Sequence, residues 1–294
     1  MSTMLVDIAT VYYRAYFSLP DSLKSPDGRQ INAVRGTFDA LLHFLDTYQP
    51  ERFVTAWDLD WRPEWRVELL DSYKTARVAG EDEEQMPDTL SEQVDLVRAA
   101  LIELGVDCIG VDGFEADDVV AQYARTQSGG IYVVSGDRDL FQLIDDERDV
   151  SVLYLGTGVT KHTHARGAYI RERFGIEAGQ YGHFSVMRGD ASDGLPGVKG
   201  VGEKTAASLL NAFGDIPGIL KAAKAADPGI KPRIAASLID HEDYLERALQ
   251  VVILDREIEV PQPSTTWRKA ADSKTLRDLG MTRYIDGWNN VLDY

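Results

Sequence analysis

Only one cysteine, Cys108, occurs in the chain. That excludes an internal disulfide and a cysteine-rich metal site. Histidine is scarce as well: the five residues His43, His162, His164, His183 and His241 show no zinc-binding spacing. His162 and His164 flank Thr163 and read as a surface pair. No uninterrupted apolar run approaches the roughly 20 residues that a membrane helix needs. The opening MSTMLVDIATVYYR has no basic segment and carries Asp7 inside its apolar stretch, so no signal peptide is expected. A cytoplasmic compartment and no membrane partner follow as expectations. Positive charge is also in deficit: 31 Lys and Arg face 48 Asp and Glu, a net charge of −17. A nucleic-acid partner usually calls for a basic footprint. The deficit fits an acidic solvated surface, a small-molecule enzyme, or acids gathered as metal ligands, where bound ions would invert the local field. Composition does not choose among these.

What is present is ordered. The length of 294 residues, 44% of them hydrophobic, allows one large domain or two smaller ones around a substantial core. Three short apolar runs lead into aspartates: Met4–Val6 into Asp7, Phe53–Trp57 into Asp58, and Ile131–Val134 through Ser135 and Gly136 into Asp137. Such runs read as buried strands. Stripes at helical spacing lie between them, one from Val34 to Leu45 and one from Leu90 to Leu104, the latter closed by Gly105. Strands alternating with helices predict an α/β fold with a mostly parallel sheet. Ligands then sit beyond the carboxyl ends of the strands, where these three aspartates would lie. Past about residue 165 helices with Gly-rich connections dominate, and Pro261-Gln262-Pro263-Ser264 reads as a linker or turn before a short tail. The expected division is a core over 1–185, a helical subdomain over 186–260, and a tail over 261–294.

The chemistry concentrates in three acidic clusters. Gly113-Phe114-Glu115-Ala116-Asp117-Asp118 precedes an apolar stripe and so opens a helix, with Glu115 and Asp118 on one face. Helix capping would explain one or two of these acids. Three in four positions repel one another unless a cation intervenes. Ser135-Gly136-Asp137-Arg138-Asp139-Leu140 places two acids just past a strand, where a turn with an N-cap competes with a metal pocket. Arg188-Gly189-Asp190-Ala191-Ser192-Asp193 runs into Gly197-Val198-Lys199-Gly200-Val201-Gly202-Glu203-Lys204, a glycine-rich turn opening a helix. This is the layout of a helix-hairpin-helix phosphate clamp, in which Gly197, Gly200 and Gly202 admit a phosphate to the backbone, with Lys199 and Lys204 nearby. It nearly imitates a P-loop, but Glu203 occupies the lysine position and no strand precedes it. Arg14, Arg66, Lys74 and Arg77 are candidate phosphate contacts, and Tyr73 a candidate base-stacking residue.

These residues resemble the bacterial 5′-nuclease family, which includes the N-terminal exonuclease domain of DNA polymerase I and the phage 5′-exonucleases, with the eukaryotic flap endonucleases more distant. Leu5-Val6-Asp7 with Tyr13-Arg14-Ala15 resembles its opening motif. Trp65-Arg66 with Tyr73-Lys74-Thr75-Ala76-Arg77 resembles its arch motif. The three acidic clusters are near-verbatim, and the likeness spans roughly residues 4 to 255 in the family's order. The resemblance implies a PIN-like 5′-nuclease core with a helical arch at about 60–95 and a C-terminal helix-hairpin-helix. It implies metal ligation by Asp7, Asp58, Glu115, Asp117, Asp118, Asp137, Asp139, Asp190 and Asp193. Lys74 and Arg77 become phosphate contacts near the cut, and Gly197 to Lys204 the duplex clamp with a potassium ion. Departures are Ile8-Ala9 in place of Gly-Ser, Val67 for histidine, Gly194 for asparagine, and the acidic run Glu81–Glu84 within the arch.

The implied reaction is phosphodiester hydrolysis with two or more Mg²⁺ or Mn²⁺ ions, in DNA replication and repair. The implied substrates are 5′ flaps, nicked or branched duplex, free 5′ ends and RNA primers, bound by a monomer in the cytoplasm at the nucleoid. No attached polymerase is expected. A PIN-type ribonuclease and a non-catalytic DNA-binding scaffold are the competing readings.

Overall fold

The computed structural model describes residues 2–79, 83–84, 86–264 and 266–291. Its elements run β1 (Ser2–Asp7), α1 (Ile8–Ser18), α2 (Asn32–Tyr48), β2 (Arg52–Ala56), α3 (Glu64–Leu69), β3 (Val78–Ala79), β4 (Glu83–Glu84), α4 (Asp88–Glu103), β5 (Asp107–Ile109), α5 (Ala116–Thr126), β6 (Gly130–Ser135), β7 (Val150–Tyr154) and β8 (Thr163–Ala165). Helices follow: α6 (Gly167–Phe174), α7 (Tyr181–Arg188), α8 (Glu203–Phe213), α9 (Ile216–Lys224), α10 (Pro232–Asp240), α11 (Glu242–Val252), α12 (Lys274–Asp278) and α13 (Thr282–Val291).

The main sheet has the order β5-β2-β1-β6-β7-β8. Every pairing is parallel except β7 with β8. Successive side chains of β1 point to opposite faces, as the pleat requires. Leu5 joins the core packed with α5 and the helices α7 to α11, while Met4 and Val6 join the core packed with α1, α2 and α4. With both faces covered, the strands read as nearly continuous apolar runs. The three strands expected to carry aspartates are β1, β2 and β6. β7 and the edge strands β5 and β8 complete the sheet.

Two segments need particular description. Between β2 and α4, where the arch is expected, the structure places the two-turn α3, a 3₁₀ turn over Thr75–Arg77, and a ladder pairing Val78 with Glu84 and Ala79 with Glu83. Glu81 and Asp82 of the acidic run lie outside the described residues, as do the side chains of Glu83 and Glu84. The tail is anchored on the core. Ser264 binds Asp107 through its backbone N–H and hydroxyl, and Tyr123 donates to the Pro261 carbonyl at 2.8 Å. Trp267 and Trp288 are fully buried among residues of α2, β2 and α4. Among the described residues no helix is long and apolar enough to cross a membrane.

Candidate active site

The carboxyl ends of β1, β2 and β6 converge where parallel-sheet topology predicts. Asp7 ends β1 and caps α1, since the chain changes direction there and leaves the first amides of the helix unsatisfied. It accepts from the Thr10 hydroxyl and, at 2.8 Å, from the Ser135 hydroxyl. Asp58 lies two residues past β2 and accepts from the Ala116 N–H at 2.8 Å, so the start of α5 is hooked to the sheet. Asp137 lies two residues past β6. Its own N–H donates to Ser135 Oγ at 2.9 Å, and its Oδ1 accepts from the Asp139 N–H at 2.8 Å. These partners are all neutral.

The start of α5 sends its three acids in three directions. Asp117 enters an open cleft shared with Asp7, Asp58, Glu115 and Asp137, whose rim also includes Arg14, Lys74 and Arg77. Glu115 is buried and accepts from Tyr73 Oη at 2.8 Å, while it also meets Lys74 Nζ and, at 3.0 Å, Arg66. Asp118 turns away from the cleft. It caps the helix by accepting from the Glu115 N–H at 3.1 Å, and it receives Arg66 as a two-pronged pair at 2.8 Å each. Arg66 is 2% exposed and also donates to the Val251 carbonyl, which ties α3 to α11.

A smaller pocket adjoins the cleft and shares Glu115, Asp117 and Asp137 with it, adding Asp139 and Asp193. The Asp193 carboxylate takes Arg77 at 3.2 Å, and its carbonyl takes the Lys74 N–H at 3.2 Å. Gly194 follows at φ +73°, and a Cβ there would stand 1.8 Å from the Ser72 carbonyl oxygen. Only glycine permits this approach of the two loops. Asp190 lines neither pocket; it pairs with Arg188 at 3.0 Å and accepts from the Ser192 N–H.

Four expected site residues are placed apart from the rest. Asp118 pairs with an arginine, and Asp190 lines neither pocket. Arg66 and Tyr73 are buried. α3 ends at Leu69, and the chain turns inward from Leu70 to Lys74. Arg14, Lys74 and Arg77 do stand at the cleft. Sequence reasoning missed Thr10 and Ser135 as acid-orienting hydroxyls. An Asp-x-x-Thr helix start was a usable signal for the first.

The electrostatics separate the acids further. Asp7, Asp117 and Asp139 have raised pKa values, chiefly from burial, with the Asp137 charge next for Asp117 and Asp139. Burial, followed by the Asp137 charge, pushes Asp193 up to about 6. Asp58 is pushed up to about 7 by the surrounding protein and then by Asp7, although its own surface opens to solvent, which screens part of that effect. Ionised together, these groups repel in poor solvent, and a divalent cation relieves that cost. The donor set is carboxylate oxygen throughout, which suits hard cations such as Mg²⁺. Among the described residues no three acids form a ready-made ion cage. Mg²⁺ keeps several of its waters and needs only one or two direct carboxylates, so an open acidic cleft fits it.

The helix-hairpin-helix runs from α7 through the turn at 189–202 into α8. Gly197, at φ +71°, lets the turn pass against α7, since a Cβ would lie 2.6 Å from the Arg188 carbonyl oxygen. Gly200 is exposed at φ +84°, Gly202 caps α8, and Lys199 and Lys204 are exposed.

Comparison with known proteins places these features. The N-terminal resolvase-like domain of 5′-3′ exonucleases matches residues 2–175, and the C-terminal SAM fold of 5′-3′ exonucleases matches residues 176–274. The chain is 45% identical over 267 residues to a 5′-3′ exonuclease of Streptomyces coelicolor, covering 89% of each. It is 40% identical over 296 residues to a 5′-3′ exonuclease of Mycobacterium tuberculosis, covering 96% of this chain and 93% of that one. In fold it is similar to the T5 D15 protein co-crystallised with metal ions, with a TM-score of 0.68 at 19% identity over 100% of this chain and 99% of that chain.

Proposed function

The chain belongs to the 5′-3′ exonuclease family and is a 5′-nuclease acting on DNA; from this premise we propose a metal-dependent hydrolysis centred on the cleft of Asp7, Asp58, Asp117 and Asp137. The observation that carries the proposal is that these acids lie together, three at strand ends and held by neutral partners, the fourth, Asp117, at the start of α5, and that among the described residues none of them forms an ion pair. A pair of Mg²⁺ or Mn²⁺ ions, when bound, would supply an activated water and offset charge on the leaving 3′-oxygen.

The chain's own residues do the rest. Thr10 and Ser135 fix the Asp7 carboxylate, and the Ala116 N–H fixes Asp58. Such outer partners orient ligands and tune their basicity. Asp139, Asp193 and Glu115 form the second wall. Lys74 is held protonated: burial works against its charge, but Glu115 and Asp193 outweigh it and raise its pKa. With Arg77 it places positive charge beside the scissile phosphate, where charge develops in the transition state. No side-chain nucleophile is needed. We assign Arg14 to the same phosphate path, and residues 186–260 to duplex binding, with Gly197, Lys199, Gly200, Gly202 and Lys204 as the clamp and its potassium site. The substrates are 5′ flaps, nicks and free 5′ ends of DNA, with RNA primers as a further class, bound by a monomer at the nucleoid.

The test is cleavage of a 5′-labelled flap, a nicked duplex, single-stranded DNA and a matching RNA flap in Mg²⁺, Mn²⁺ or EDTA. Metal-dependent cutting near the flap junction is expected. Binding without cutting in any metal would make the chain a scaffold, and cutting of RNA alone a ribonuclease.

A further inference from the structure

Several surface cations of the chain pair with acids. Arg29 pairs with Asp27, Arg166 with Asp149, Arg171 with Glu177, Lys224 with Glu242, Lys274 with Asp278, and Arg277 with Asp272. That is expected where 48 acids compete for 31 bases. Among the cations without an acidic partner, one group lies beside the hairpin. Lys231 and Arg233 are exposed at the start of α10, and neither has an acidic partner among the described residues. Lys199 and Lys204 share that condition, and the one acid between them in the turn, Glu203, leans 3.6 Å from Arg188 instead.

The two pairs of cations belong to one surface. Ser237 of α10 donates to the Lys199 carbonyl at 2.7 Å, and Ile234 Cδ1 would lie 3.6 Å from a Cβ on Gly200. α10 therefore packs against the exposed tip of the hairpin. Arg233 lies four residues before Ser237, so it occupies the same helix face one turn nearer the helix start. Lys231 is the N-cap residue ahead of it. Cations in this position oppose the helix dipole, so they do not serve the stability of α10.

We infer that Lys231 and Arg233 form a second phosphate-binding element that continues the hairpin's contact along the backbone of the same duplex. The inference rests on the hairpin's reading as a duplex clamp. It makes the clamp a two-part surface, with the turn at 197–204 seating one stretch of backbone and the start of α10 the next. The recognition is of phosphate charge and carries no base preference.

Fluorescence anisotropy of a labelled nicked duplex in EDTA, titrated across 50 to 200 mM salt, tests it. Each phosphate contact contributes about 0.9 to the slope of log affinity against log salt. Lys231→Ala with Arg233→Ala should make the slope shallower by about 1.8, so that wild-type binding falls about tenfold more than the variant's across that range. Lys231→Arg with Arg233→Lys should restore the wild-type slope. Lys274→Ala with Arg277→Ala removes equal charge from the tail and should leave the slope unchanged. A Lys231→Ala, Arg233→Ala slope equal to that control would overturn the inference, and the clamp would stand if Lys199→Ala with Lys204→Ala still flattened the slope. If that pair also matched the control, the clamp reading itself would fall, and the inference with it.

Discussion

The two walls of the cleft use the same residue types in opposite ways. On the sheet side Asp7, Asp58 and Asp137 are oriented by hydroxyls and backbone N–H groups, which hold a carboxylate without neutralising it. On the far side Glu115 has Lys74 and Arg66 and Asp193 has Arg77, and just behind that wall Asp118 has Arg66 and Asp190 has Arg188. Positive charge is thus spent inside one half of the site and withheld from the other. A net charge of −17 says little about partners in such a protein. What matters is which charges are left uncompensated, and where.

The comparison breaks most visibly if a sheet-side acid proves dispensable. Asp137→Asn should reduce flap cleavage by more than the roughly 10–100-fold typical of losing an outer-shell partner, while flap binding in EDTA persists. Gel-resolved single-turnover cleavage measures it, and near wild-type cutting would remove Asp137 from the metal-holding set. The far side should instead answer in stability. Arg66→Ala leaves Glu115 and Asp118 buried with one cation fewer, and removing one partner of a buried pair costs about 3–5 kcal/mol. Thermal unfolding should show a drop of roughly 6–20 °C at this chain length. Unchanged melting would mean that the pair holds nothing together.

pH sharpens the contrast without mutation. The raised pKa values of Asp7, Asp58, Asp117, Asp139 and Asp193 favour protonated acids in the metal-free fold. Their contribution to stability is fully present below about pH 4, the ordinary carboxylate range, and is lost as pH rises through about 6 to 7. In EDTA, melting temperature should therefore carry a falling component between pH 5 and pH 8. Mg²⁺ should raise it more at pH 8 than at pH 5, because the ion binds the deprotonated set. An equal Mg²⁺ effect at both values would contradict the account. The smallest effect belongs to Ser135→Ala, which removes one neutral hydrogen bond from Asp7 and one from the Asp137 N–H. The Mg²⁺ concentration for half-maximal cutting should rise about tenfold, with melting changed by only a few degrees.

Much of the sheet side was legible in the sequence, because strand ends and their aspartates are local. The runs into Asp7, Asp58 and Asp137 are short apolar segments, and parallel topology alone puts their ends together. The far side was not legible. Arg66 meets Asp118 across 52 residues, and nothing in either neighbourhood announces the pair. Asp117 and Asp118 are adjacent in sequence and similar in chemistry, and the 100° step of the helix sends one into the cleft and the other to Arg66. The tail was silent for a related reason. Trp267 and Trp288 have no periodic stripe long enough to mark a face, and their burial depends on α2, β2 and α4.

The central claim is that divalent ions settle on the uncompensated wall. Anomalous diffraction from crystals soaked in Mn²⁺ locates the ions directly. The account predicts peaks in the cleft against Asp7, Asp58, Asp117 or Asp137, with none at Asp118. A peak at the Arg66–Asp118 pair, or a cleft without manganese at saturating concentration, would contradict it.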